Sequence, residues 1–166
     1  MEAPLDKIPV FMRAGVVLPR KMRLRRSSKL MHFDPYTLII TPDSTGAASG
    51  ALYLDDEFSL AHEVEGLFAV REFQFQGGNS LACKKMERSS VNAGNVRSES
   101  QEFDAVNTVE RVIIVGQTKG PKVISLTKAD GSKEELSFVY DSSAGTITIK
   151  KPDCRVVEDW LIELEF

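Results

Sequence analysis

Short apolar runs recur about every ten residues along this chain, each closed by glycine, proline, asparagine or aspartate, and no long amphipathic helical stretch interrupts them. Residues 8–13 and 16–18 are two such runs, the second stopped by Pro19. Residues 36–41 are rich in β-branched side chains and end at Pro42-Asp43, and residues 51–54 lie between Gly50 and the acidic turn Asp55-Asp56-Glu57. Residues 67–76 and 80–88 flank Gly77-Gly78-Asn79, and residues 122–128 and 135–141 flank Asp130-Gly131. Both are hairpin signals, because these turn residues tolerate positive φ. Residues 112–115 are apolar on both faces, which predicts a central strand. Residues 146–150 alternate. At the end of the chain Trp160, Ile162, Leu164 and Phe166 share one face and Glu163 and Glu165 the other, the pattern of a strand with one wet side. The best helix candidate, residues 58–65, is short and closed by Gly66. Residues 89–103 are poor in apolar groups and are expected to form a long, mobile loop. Strands without crossover helices predict an all-β fold, an antiparallel β-sandwich or jelly-roll-like architecture.

With 166 residues, 42% hydrophobic and 27% charged, the chain has the make-up of one globular domain, or of one domain plus a piece of another. No run of eighteen apolar residues is present, so no membrane-spanning helix is expected. The first residues contain no apolar signal core. Charge is unevenly spread. Residues 1–33 carry eight basic and two acidic groups, a net +6, against −9 for the remainder and −3 overall. That asymmetry suggests a separate structural origin for the first thirty or so residues.

Candidate chemistry is sparse. Asp55-Asp56-Glu57 could bind calcium or act as acid and base, but calcium loops space their ligands at alternate positions. A glycosidase pair comes from two elements flanking the scissile bond, so a solvated turn is the preferred reading. The basic stretch from Arg20 to Lys29 could contact phosphate, yet no aromatic side chain interleaves it and the rest of the chain is acidic. Arg20, Arg23 and Arg25 are expected to pair with carboxylates or to cover a neighbouring surface. His32 and His62 stand far apart without ligand-like spacing, and neither Cys83 nor Cys154 has a base near it in sequence. No phosphate loop, nucleophile elbow or zinc-protease motif occurs. No catalytic, cofactor-binding or metal-binding residue is therefore assigned. A carbohydrate-binding β-sandwich is the rival reading. Phe73, Phe75, Phe138 and Trp160 fall on core positions, which leaves Phe11, Phe68 and Tyr53 as candidate sugar platforms.

One resemblance is specific. The opening, Pro4-Leu5-Asp6-Lys7-Ile8-Pro9-Val10-Phe11-Met12-Arg13-Ala14-Gly15, is similar to a segment that follows the catalytic barrel in glycoside hydrolase family 31. Gly50-Ala51-Leu52-Tyr53-Leu54-Asp55-Asp56 and Val109-Glu110-Arg111-Val112-Ile113-Ile114-Val115-Gly116 resemble two further motifs of that family, in family order. The stretch Lys21-Met22-Arg23-Leu24-Arg25-Arg26-Ser27-Ser28, with Asp34-Pro35 after it, resembles the endoplasmic-reticulum branch of the family. Two departures stand out: Ala14 replaces a glycine, and Glu57 replaces the glycine after the paired aspartates, which leaves the shape of that turn open. The resemblance implies that residues 1–34 end a proximal C-terminal β-sandwich and residues 35–166 form a distal one. It places both catalytic aspartates on an upstream barrel, so none is carried over to this chain, and Met1 would lie inside a longer protein. It implies a parent α-glucosidase that trims glucose from N-linked glycans in the endoplasmic reticulum lumen. The implied partners are the parent's own barrel and, as a further candidate, a β subunit, with no nucleic acid, membrane or cofactor.

Overall fold

The computed structural model describes residues 4–86 and 102–166. Eleven strands make up one sheet: β1 (Val16–Lys21), β2 (Tyr36–Thr41), β3 (Ala48–Leu54), β4 (Ala69–Gln76), β5 (Ser80–Lys85), β6 (Thr108–Val115), β7 (Val123–Lys128), β8 (Lys133–Glu135), β9 (Phe138–Asp141), β10 (Thr146–Arg155) and β11 (Trp160–Glu165). The helix candidate at 58–65 shrinks to a single turn, α1 (Ala61–Val64). The protein is all-β, as its alternating runs predict. Apart from its last two residues, the loop expected at 89–103 lies outside the described residues.

The strand order is β8-β7-β11-β5-β4-β3-β1-β2-β6-β10-β9. The sheet curls so that β8 to β3 form one layer and β1 to β9 the other, and the inner faces of both contribute to one core. Alternation along the strands sets this arrangement. On one layer Phe73, Phe75, Leu81, Ile124, Leu126 and Ile162 point inward; on the other Leu38, Ile40, Val112, Ile114, Ile147 and Ile149 do. Both predicted hairpins form. Gly77 and Gly78 take φ 60° and 71° between β4 and β5, and Gly131 takes φ 81° between β7 and β8.

The two layers join at both edges. At the first, β1 touches β3 in parallel through the single pair Val16↔Ser49, while it pairs antiparallel with β2 along its whole length. Gly50 makes this close approach possible. A Cβ there would overlap the Val17 carbonyl oxygen and stand 2.9 Å from its carbonyl carbon. At the other edge one segment passes between layers. The Leu136 N–H donates to Ile124 O at 2.8 Å, and the Lys150 N–H donates to Ser137 O at 2.8 Å. Residues 135–141, read from sequence as one strand, are thus split into β8 and β9 by this crossing.

Two further expectations need correction. The sheet is mixed, because β2 and β6 run parallel from Tyr36↔Val109 to Ile40↔Ile114. A parallel pair needs a long crossover; here strands β3, β4 and β5 take the place of the usual helix. Residues 8–13 also form no strand. Pro9 offers no N–H for a ladder, and no described strand lies alongside. The main tether near this end is the Thr41 hydroxyl, which donates to Arg13 O at 2.7 Å.

Candidate functional site

The basic stretch forms a loop between β1 and β2 that is fixed by charge pairs. The guanidinium of Arg25 grips the Asp34 carboxylate, with Nη2 2.6 Å from Oδ1 and Nε 3.0 Å from Oδ2. Such fork-on-carboxylate pairs are strong and directional. Arg25 holds the Asp34 carboxyl below the usual carboxylate range. Asn107 on the far side of β2 donates through Nδ2 to His32 O at 2.7 Å and Asp34 O at 2.9 Å. Arg23 pairs with Glu110 at 2.8 Å, and Lys21 with Glu57 at 3.3 Å. Arg23 and Arg25 therefore hold carboxylates of this chain, as their sequence context suggested.

This polar scaffold presents apolar side chains to solvent. Leu24 is 99% exposed, Phe33 72% and Leu30 58%, and Phe58, Leu60 and Val64 stand out nearby. The His32 ring packs edge-on against Phe33 with centroids 4.4 Å apart and lies 5.5 Å from Phe58. The N-terminal arm adds Leu5, Ile8, Val10 and Phe11, all exposed. Clustered exposure of this kind marks an interaction surface.

The acidic turn is capped by its own chain. Asp55 Oδ1 accepts the Glu57 N–H at 2.8 Å. Asp56 accepts the N–H groups of Phe58 and Ser59 and, at 2.6 Å, the Ser59 hydroxyl, bonds that bring its pKa down to about 2. Glu57 adopts φ 62°, a left-handed conformation that glycine takes without strain. Its carboxylate meets Lys21 and, at 3.2 Å, His32 Nδ1. His62 Nδ1 lies 3.8 Å from Asp55 Oδ2. Sequence spacing did not reveal that both histidines border this one turn, because the β1–β2 loop and α1 meet only in the fold. Among the described residues no three histidine, cysteine or acidic side chains gather closely enough to hold a metal ion.

The remaining candidates are structural. Cys83 and Cys154 are buried free thiols, and burial pushes Cys83 up to about 11 and Cys154 higher still. Phe73, Phe75 and Trp160 are in the core, Phe138 packs against it, and Phe68 is buried beneath Tyr53. Sequence reading missed Arg71, which is buried on β4 and paired with Asp159 and Glu102. Its inward position in the alternation of β4 was the available signal.

No family model matches the chain. Its whole length nevertheless finds relatives. Neutral alpha-glucosidase AB of Dictyostelium discoideum is 40% identical over 164 residues, covering 99% of this chain and 16% of that protein. The crystal structure of glucosidase II alpha subunit in its Glc1Man2-bound form superposes with a TM-score of 0.81 at 32% identity, covering 99% of this chain and 18% of that one. Along its whole length the chain is homologous to one segment of the glucosidase II α subunits. The same likeness, with a TM-score of 0.80, extends to a crystal structure of ER glucosidase II as a heterodimeric complex of catalytic subunit and binding domain of the regulatory subunit. The chain thus spans about one sixth of the length of the glucosidases it matches.

Proposed function

We propose that this chain is a non-catalytic C-terminal part of an α-glucosidase of the glucosidase II type. In this reading the parent removes glucose from N-linked glycans in the lumen of the endoplasmic reticulum by retaining hydrolysis. Residues 1–34 lead out of a proximal β-sandwich, residues 35–166 are the distal one, and β1, inserted between β3 and β2 of the distal sheet, ties the two together. The observation that carries the reading is the exposed apolar surface of the arm and of the β1–β2 loop, the loop being held in place by the Arg25–Asp34 pair, in which Asp34 is buried and Arg25 half-exposed. An exposed apolar surface of this extent suits permanent cover by another part of the same protein. The catalytic barrel is the natural cover, and the heterodimeric relative supports a regulatory subunit as partner of the complete enzyme.

The acidic turn supports the non-catalytic half of the proposal. A retaining glycosidase needs two carboxyl groups on opposite sides of the scissile bond, roughly 5 Å apart and free to reach it. Here Asp55 and Asp56 accept N–H groups of their own turn, and Glu57 is held by Lys21 and His32. The purified 166-residue chain is expected to release no nitrophenol from a nitrophenyl α-glucoside. Turnover that co-purifies with the chain through two columns would overturn the reading.

A further inference from the structure

The outer faces of the two layers differ in chemistry. On the β8 to β3 layer the register sets Glu72 opposite Lys84, with Gln74, Ala82, Leu161 and Thr127 as the next outward rung, a mostly polar face that water can cover. On the other layer one outward rung runs Leu18, Ile39, Ile113, Thr148 and Val139 across β1, β2, β6, β10 and β9. Leu18 is 39% exposed and Val139 48%, and Ile39 and Ile113 are half-buried. Parallel strands read as continuous apolar runs where both of their faces are covered. Leu38-Ile39-Ile40 of β2 and Val112-Ile113-Ile114-Val115 of β6 are such runs, and these two strands are the parallel pair. Leu38, Ile40, Val112 and Ile114 meet the core, whereas Ile39 and Ile113 stay partly open to solvent.

The neighbouring outward rung is basic. Arg20 lies opposite Thr37, Thr37 opposite Arg111, and Arg111 directly opposite Lys150. Like charges directly opposite on adjacent strands destabilise a sheet, so the chain gains nothing from this row by itself. Lys151 lines the same concavity as Arg111 and Lys150. The carboxylates close to them are engaged elsewhere. Glu110 pairs with Arg23, Glu134 pairs with Lys128, and Asp141 accepts the N–H and hydroxyl of Ser143 in its own turn. Among the described residues this leaves Glu135, at the rim of the concavity, against the cations of the row.

We propose that this face is a second docking surface, and that its occupant is a protein surface of the parent α-glucosidase, apolar at its centre and edged with carboxylates that meet Arg20, Arg111 and Lys150. The inference rests on the reading of the chain as one part of that enzyme. The apolar rung supplies the area to be covered, and the basic rung supplies the register and the sign of the partner. From Val16 to Arg20 the face is roughly 13 Å long, and across five strands it is about 19 Å wide, so it offers roughly 250 Å². A stable complex buries about 800 Å² per partner. The face therefore holds its occupant only together with an adjoining surface, and β1 continues directly into the exposed apolar arm. A second copy of the chain is the poorer occupant, because two such faces in contact would bring unpaired cations against unpaired cations.

The test titrates the methyl-labelled 166-residue chain with the Dictyostelium discoideum relative truncated to remove the segment that matches it. The Ile39 and Ile113 methyl signals should change saturably, together with that of Ile8 in the arm. Lys150→Glu sets a carboxylate opposite Arg111, so it should raise the urea midpoint of the free chain while weakening binding at least about five-fold. Raising salt from about 0.05 to 0.3 M should weaken binding of the unaltered chain more than that of the variant. A response of Ile8 without Ile39 and Ile113 would overturn the second surface and leave the reading of the parent intact. A response at none of the three would overturn both. Unchanged affinity of the Lys150→Glu variant would overturn the carboxylate-edged partner. Changes at Ile39 and Ile113 that follow the chain's own concentration, with no relative added, would assign the face to a second copy and overturn the proposal.

Discussion

Replacing Gly50 with alanine tests the seam on which the two layers meet. In an ordinary strand the change stabilises by about 0.5–1 kcal/mol, because glycine loses more backbone freedom on folding. Here the added methyl group would overlap the Val17 carbonyl oxygen, stand 2.9 Å from the carbonyl carbon and 3.2 Å from the Val17 Cβ. The nearest of these atoms belong to the backbone, so no side-chain rotation relieves the overlap and β1 must move away from β3. Forcing a methyl group into a packed region costs about 1–3 kcal/mol. The shift also loosens the bond from the Ser49 N–H to Gly15 O, 3.1 Å, worth about 1 kcal/mol. It uncovers part of Val17, which is 1% exposed. The net expectation is a loss of about 2–4 kcal/mol, a large share of the roughly 5–15 kcal/mol that holds a domain together. Urea unfolding followed through Trp160, the sole tryptophan, measures it directly. With a slope of about 2 kcal/mol per molar, the midpoint should fall by roughly 1–2 M. A midpoint equal to or above that of the parent chain would refute the close approach at Gly50.

Trp160→Ala should destabilise by about 3–5 kcal/mol, since the indole is buried against Phe73 and donates to Arg155 O at 3.2 Å; a loss below about 1 kcal/mol in a urea titration of both chains followed by far-ultraviolet circular dichroism would place that face in solvent. Acid should unfold the chain partly through Asp34 and Asp56, whose folded pKa values are depressed by the Arg25 fork and by the Ser59 hydroxyl and N–H. Their stabilisation is fully present above the unfolded value of about 3.9 and disappears as pH falls through the folded one. Asp34→Asn should therefore flatten the fall of the urea midpoint below about pH 4, and an unchanged slope would count against the Arg25–Asp34 pair.

Much of the core was legible because alternation reports burial directly. Trp160, Ile162 and Leu164 are inside and Glu165 outside, as their period of two requires, and Gly77-Gly78 and Asp130-Gly131 turn the chain where positive φ is needed. Long-range geometry was not legible. Nothing in residues 36–41 or 108–115 states that β2 and β6 pair in parallel, since that depends on a whole layer folding between them. Residues 8–13 have the composition of a strand without a partner to pair with, and composition carries no information about partners. The polar lock of the β1–β2 loop was half visible: arginines seeking carboxylates were expected, but Asp34 and Glu110 as their partners emerge only in three dimensions. Both histidines were read as isolated because their shared border with the acidic turn crosses two loops.

The central claim is that this chain contributes an interface and no chemistry to a larger α-glucosidase. It is tested most directly by complementation. The Dictyostelium discoideum relative, truncated to remove the segment that matches this chain, would be mixed with the 166-residue chain and assayed on a nitrophenyl α-glucoside. The account predicts that neither part alone is active, that the mixture recovers activity, and that Ile8→Asp/Phe11→Asp in the arm abolishes the recovery while leaving the chain's own urea midpoint unchanged. Activity from the 166-residue chain alone, or recovery indifferent to the arm substitutions, would contradict it.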